Sequence, residues 1–120
     1  MFGSGFFKRE RRAFPRWRVE FGVLHGIQHD LTASSGVEIS EAGFVFRSRH
    51  SYQVGDEIDV QILLDPINSD DWIVAKCVVR RIDQDRVAVE FCSLKRADRV
   101  KLVDFICTLS PSQMQAASAD

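Results

Sequence analysis

The chain has 120 residues, 45% of them hydrophobic and 28% charged, and its 16 Lys plus Arg against 17 Asp plus Glu give a formal net charge of -1. That length fits one domain, and that composition excludes wholesale disorder and collagen-like structure. The longest apolar runs are three or four residues, such as Trp72 to Ala75, far short of the roughly 20 that a membrane-spanning helix needs, so no membrane span is expected.

The chain opens with Met1 to Phe7 followed by Lys8 and Arg9, without the apolar core and small-residue cleavage site of a signal peptide. A cytoplasmic location is expected, with residues 1–10 as a flexible arm. From Lys8 to Arg18 six basic residues stand against Glu10 alone, so the remainder of the chain is acidic on balance. Phe14, Pro15 and Trp17 interrupt this basic stretch, and Pro15 stiffens the backbone between Phe14 and Arg16.

Six short strands follow from alternation of apolar and polar residues. Trp17, Val19, Phe21 and Val23 form one face of the first, Val37 and Ile39 of the second, and Phe44 and Phe46 of the third. The fourth carries Ile58, Val60, Ile62 and Leu64, the fifth Ile73, Ala75, Cys77 and Val79, and the sixth Val87, Val89 and Phe91. Turn signals are read at Gly26, Ser35-Gly36, Glu41 to Gly43, Gly55-Asp56, Pro66 to Asp71 and Asp83 to Asp85. So many short strands in a small chain indicate a closed barrel or a sandwich, because an open sheet would leave unprotected edges. Beyond them Leu102, Val103, Phe105, Ile106 and Leu109 make an apolar stripe at helical spacing, with Ser93 as N-cap, and the helix is expected to close one end of the barrel. The tail, residues 110–120, has little to bury and is expected to be disordered. Cys77, Cys92 and Cys107 lack the close pairing of a zinc site and are expected to be reduced core residues. His25 and His29 would share a face only on a helix, and Gly26 between them argues against that and against a metal pair.

Two segments carry binding chemistry. Arg12-Ala13-Phe14-Pro15-Arg16, with Arg11 adjoining, is an R-x-x-x-R spacing just ahead of the first strand. The planar fork of arginine donates two parallel hydrogen bonds, matching the oxygens of a phosphate or the O6 and N7 of guanine. In Glu38-Ile39-Ser40-Glu41-Ala42-Gly43, alternation puts Glu38 and Ser40 on the non-core face, and Gly43 permits a tight turn and close approach of a ligand to the backbone. A carboxylate can accept from the N1 and N2 donors of guanine, and a hydroxyl can bond a phosphate.

In this order the two segments resemble the motifs of the PilZ domain family, which pairs R-x-x-x-R ahead of the first strand with D/N-x-S-x-x-G at the end of the second. Gly55-Asp56 before the fourth strand, Val78 to Arg80 in the fifth and Val87 to Phe91 in the sixth are similar to the family as well, so the resemblance runs from about Arg11 to Leu109. It implies a six-stranded antiparallel β-barrel of split-barrel type with one C-terminal α-helix over residues 11–109. It also implies a receptor for the bacterial second messenger cyclic di-GMP, acting in control of motility, biofilm or exopolysaccharide. Arg11, Arg12 and Arg16 would clamp the ligand, while Glu38, Ser40 and Gly43 would meet it from the barrel surface. Glu38 stands where the family has Asp or Asn, and its extra methylene moves the acceptor outward, which would weaken a well-aligned hydrogen bond. Ala88 likewise replaces the usual Gly of the sixth strand.

The resemblance implies an adaptor without catalytic activity, cofactor or metal, signalling to a separate effector protein through a loop that orders on ligand binding. An alternative is a PilZ adaptor that no longer binds the nucleotide and acts by protein contacts alone. A more distant one is a small barrel binding single-stranded nucleic acid, against which the acidic balance of the strands counts. No paired carboxylates, activated nucleophile or metal cluster emerges from the pattern to indicate an enzyme.

Overall fold

The computed structural model describes residues 14–28, 30–64 and 72–115. Its strands are β1 (Arg16–Ile27), β2 (Asp30–Ile39), β3 (Gly43–Arg47), β4 (Glu57–Leu63), β5 (Trp72–Asp83) and β6 (Arg86–Leu94), followed by helix α1 (Arg96–Cys107). A 3-10 turn (Pro111–Gln113) then leads into the two-residue strand β7 (Met114–Gln115). All pairings are antiparallel, and the ring β1-β2-β3-β6-β5-β4 closes back on β1. The expected six-stranded barrel with one helix is therefore the fold of this chain. Closure satisfies the edges that so short a set of strands would otherwise expose.

The alternating faces read from the sequence turn inward. Ile58, Val60 and Ile62 of β4 and Ile73, Cys77 and Val79 of β5 are almost wholly buried, as are Phe46 of β3 and Val87 of β6. On the outer faces Lys76 of β5 lies 3.0 Å from Asp59 directly across on β4, and Arg80 lies 2.7 Å from Glu90 of β6. Register defines two rims. The upper rim gathers Arg16, the β2–β3 turn, Leu63, Trp72 and Leu94, and the lower rim gathers the Ile27/Asp30 hairpin, Arg47, Glu57 and the Asp83/Arg86 hairpin. Helix α1 leaves β6 at the upper rim and sends Leu102 and Ile106 into the barrel core, while Lys101 Nζ donates to the Trp72 carbonyl at 3.2 Å.

Several sequence expectations are corrected. Gly26 and Ser35-Gly36 are not turns: β1 runs through Gly26 to Ile27, and β2 begins at Asp30, seven residues before Val37. The first half of β2 is polar and lacks alternation, and its pairing with β1 makes it a strand. Gly36 is needed for another reason, because a Cβ there would overlap the ring of Phe21 across the pair. Ser93 is not the N-cap: β6 continues through it opposite Lys76, and Lys95 takes the cap position without a side-chain cap bond. Within the tail expected to be disordered, Pro111 to Gln115 take up regular structure, with β7 pairing Trp17 with Met114 and Gln113 Nε2 donating to the Arg18 carbonyl at 3.3 Å, and residues 116–120 lie outside the described residues. Of the three free thiols only Cys77 is in the core, where burial pushes its pKa up, whereas Cys92 and Cys107 are exposed.

Candidate functional site

The upper rim joins the two motif segments. Arg18 of β1 lies opposite Glu38 of β2 and Trp17 opposite Ile39, which puts Arg16 on the same face as Glu38 and diagonal to it across the pair. Arg16 Nη1 sits 3.4 Å from Glu38 Oε1, with the two side chains 27% and 14% exposed. Two register shifts lie next to this meeting, one between Arg18 and Phe21 in β1 and one between Gly36 and Glu38 along the β2–β3 pairing. Bulges of this kind re-aim a side chain out of the regular pleat. Phe14, two residues ahead of Arg16 in the chain, is an exposed aromatic. Arg11 and Arg12 lie outside the described residues.

Ser40 and Gly43 occupy the β2–β3 turn, and the structure gives each a job within the fold. Ser40 Oγ accepts from the amides of Ala42 at 3.1 Å and Gly43 at 3.3 Å, and the Ser40 amide donates to the Gly43 carbonyl at 2.9 Å. This is the local side-chain capping by which serine holds a turn. The Cα of Gly43 faces β6, where a Cβ would overlap the Val89 carbonyl oxygen. Within the fold, the close approach that this glycine permits is that of the neighbouring strand. Ser40 and Gly43 set the turn that follows Ile39, and Glu38 is the member of the segment that reaches Arg16.

Electrostatically the rim is an arginine held by a carboxylate. At 3.4 Å the contact is long for an N–H to oxygen bond, and a partly exposed pair is worth at most about 1 kcal/mol. A phosphate offering two short charge-assisted bonds can displace it. Among the described residues no group of three His, Cys, Asp or Glu side chains is placed to hold a metal, and no helix is long and apolar enough to cross a membrane.

Sequence reading missed a polar chain inside the barrel. His25 is wholly buried, with Nδ1 2.7 Å from Tyr52 Oη and Nε2 2.7 Å from Ser34 Oγ. Burial, and secondarily the charge of His50, lowers its pKa to about 4, while burial and the Asp56 carboxylate push the Tyr52 phenol up to about 12. The signal was present in the alternation: Phe21, Val23 and His25 continue one inward face.

Comparison with known proteins places this architecture. Among solved structures the chain is similar to the Bacillus subtilis inhibitor of motility MotI/DgrA, with TM-score 0.71 and 21% identity over 82% of this chain and 50% of that one. It is also similar to the PilZ domain of CeSA from a cellulose-synthesizing bacterium, with TM-score 0.60 and 8% identity over 78% of this chain and 95% of that one. The chain thus spans half the length of MotI/DgrA, and likeness at these identities is a likeness of fold. No curated protein sequence matches it. The model of the PilZ domain matches residues 10–107. That match runs from the arginine segment through β6 and α1, so it takes in the strands and turn that build the upper rim, and the chain belongs to the PilZ domain family.

Proposed function

We propose that this chain is a receptor for cyclic di-GMP that works as an adaptor, binding the nucleotide at the upper rim and signalling to a separate effector protein in the cytoplasm without catalysing a reaction. The observation that carries the reading is the contact between Arg16 and Glu38, which joins two motif segments 22 positions apart into one patch. In the bound state Arg16, with Arg12 and Arg11, grips the phosphates and a guanine edge. Glu38 turns from Arg16 to the guanine N1 and N2 donors, while Ser40 and Gly43 keep the turn in shape beneath the ligand. Membership of the PilZ family supports this assignment, and the likeness to an inhibitor of motility agrees with motility as an output.

A second reading, an adaptor that has lost the nucleotide and acts by protein contacts alone, is favoured by the same pair, since Glu38 already occupies Arg16. Calorimetric titration with cyclic di-GMP, using GMP as control, separates the two. The receptor reading expects saturable binding that weakens about tenfold or more in Arg16→Ala and remains poor in Arg16→Lys, because a point charge cannot supply two parallel bonds. Absence of binding to the unaltered protein, or equal binding by Arg16→Ala, refutes it.

A further inference from the structure

A cavity of about 350 Å³ opens at the lower rim, lined by Thr32 and Ser34 of β2 and by Arg47, Ser48, Arg49 and His50 at the end of β3 and beyond it. It forms where β2 and β3 part: their pairing reaches from Ile39 back only to Gly36, and before that β2 pairs with β1 alone. We propose that this cavity is a second anion site, one that takes the phosphate group of a small solute and is separate from the upper-rim site.

Charge is the first support. Neither Arg47 nor Arg49 makes an ion pair with a described residue, and Asp85 is the one carboxylate in the lining. Arg47 also lies directly opposite Arg86 of β6, which adds positive charge behind the cavity wall. Preorganisation is the second. Ser34 Oγ is held at 2.7 Å by buried His25, whose other ring nitrogen is held by Tyr52, and His50 lies against the Tyr52 ring at a centroid distance of 4.5 Å. A hydroxyl and an imidazole of the cavity wall are thus fixed from the core. Two guanidinium forks and three hydroxyls around a volume of this size suit the oxygens of a phosphate or phosphate ester. The site is distinct from the first: Ala33 and Glu38 are five strand residues apart, roughly 16 Å at about 3.3 Å per residue.

The test is an amide NMR titration of the full chain with inorganic phosphate and, separately, glycerol 3-phosphate, against chloride at matched ionic strength. Saturable shifts centred on Thr32 to Ser34 and Arg47 to His50 are expected, weakened about tenfold in Arg49→Gln and unchanged in Arg16→Ala. Binding of both probes assigns the site to phosphate esters, and binding of inorganic phosphate alone assigns it to the free ion. Shifts reproduced by chloride, shifts confined to Ser40 to Gly43, or equal phosphate binding by Arg49→Gln and the unaltered protein overturn the proposal. Cyclic di-GMP titrated into Arg49→Gln reports on the upper rim independently, so failure at one site is readable apart from the other.

Discussion

Stability should fall with pH through a single buried ring, His25. With an ordinary pKa of 6.5 in the unfolded chain and about 4 in the folded one, His25 is neutral in both states above pH 6.5 and costs nothing there. As pH drops below 6.5 the unfolded chain takes up the proton first, so stability present at neutral pH drains away until the folded ring protonates near pH 4. The loss reaches about 2 kcal/mol by pH 5 and about 3 kcal/mol at its limit. Urea unfolding of the unaltered protein and of His25→Gln between neutral pH and about pH 5 measures it. Glutamine cannot titrate, so the variant begins less stable but loses less on acidification, and the contributions of other groups are common to both proteins and cancel. Should His25→Gln fail to fold, ring NMR of the unaltered protein gives the answer directly, since the His25 resonances should stay at their neutral positions well below pH 6. Parallel pH profiles in the two proteins, or a ring that titrates near 6.5, would mean that the barrel does not hold His25 neutral.

Glu38→Asp draws the carboxylate back from Arg16 while keeping an acceptor, so cyclic di-GMP affinity measured by calorimetry should rise about two- to fivefold, the equivalent of a pair worth up to about 1 kcal/mol; equal or weaker binding would show that Glu38 does not compete for Arg16. Gly43→Ala should cost at least about 2 kcal/mol in urea unfolding even without ligand, because the new methyl meets the Val89 carbonyl; unchanged stability would return this glycine to a purely ligand-facing role. Saturating cyclic di-GMP should slow tryptic cleavage after Lys8, Arg9, Arg11 and Arg12 where GMP does not, and equal rates would rule out an arm that closes over the nucleotide.

Where neighbouring residues dictate structure, the sequence was legible. The four-residue alternations of β4 and β5 survive intact because each strand buries a single face and pairs along its length. The start of β2 was not legible, since Leu31 to Ser35 carries no period-two signal and becomes a strand only through its hairpin with β1. The motif letters of the site were plain, but the meeting of Arg16 with Glu38 is a cross-strand contact 22 positions apart, next to a register shift at Arg18/Phe21 that no local pattern encodes. Ser40 and Gly43 were visible as a ligand signature, while their service to the turn and to the packing of β6 emerges only from the barrel. The lower-rim cavity escaped because Arg47, Arg49 and His50 look like surface charge until β2 and β3 diverge around them.

The last described residues give the barrel an unexpected dependence. Met114 is laddered onto Trp17, and Gln113 holds the carbonyl of Arg18 across 95 positions of sequence, so the strand end that presents Arg16 is buttoned down from the far side of the chain. Trimming the polypeptide at Pro111, an edit that sequence composition would license as harmless, would unfasten the start of β1 and loosen the guanidinium that faces Glu38. The segment from Pro111 to Gln115 is in this sense a splint for the start of β1, and any protein that peeled it away would handle the Arg16–Glu38 rim without touching it.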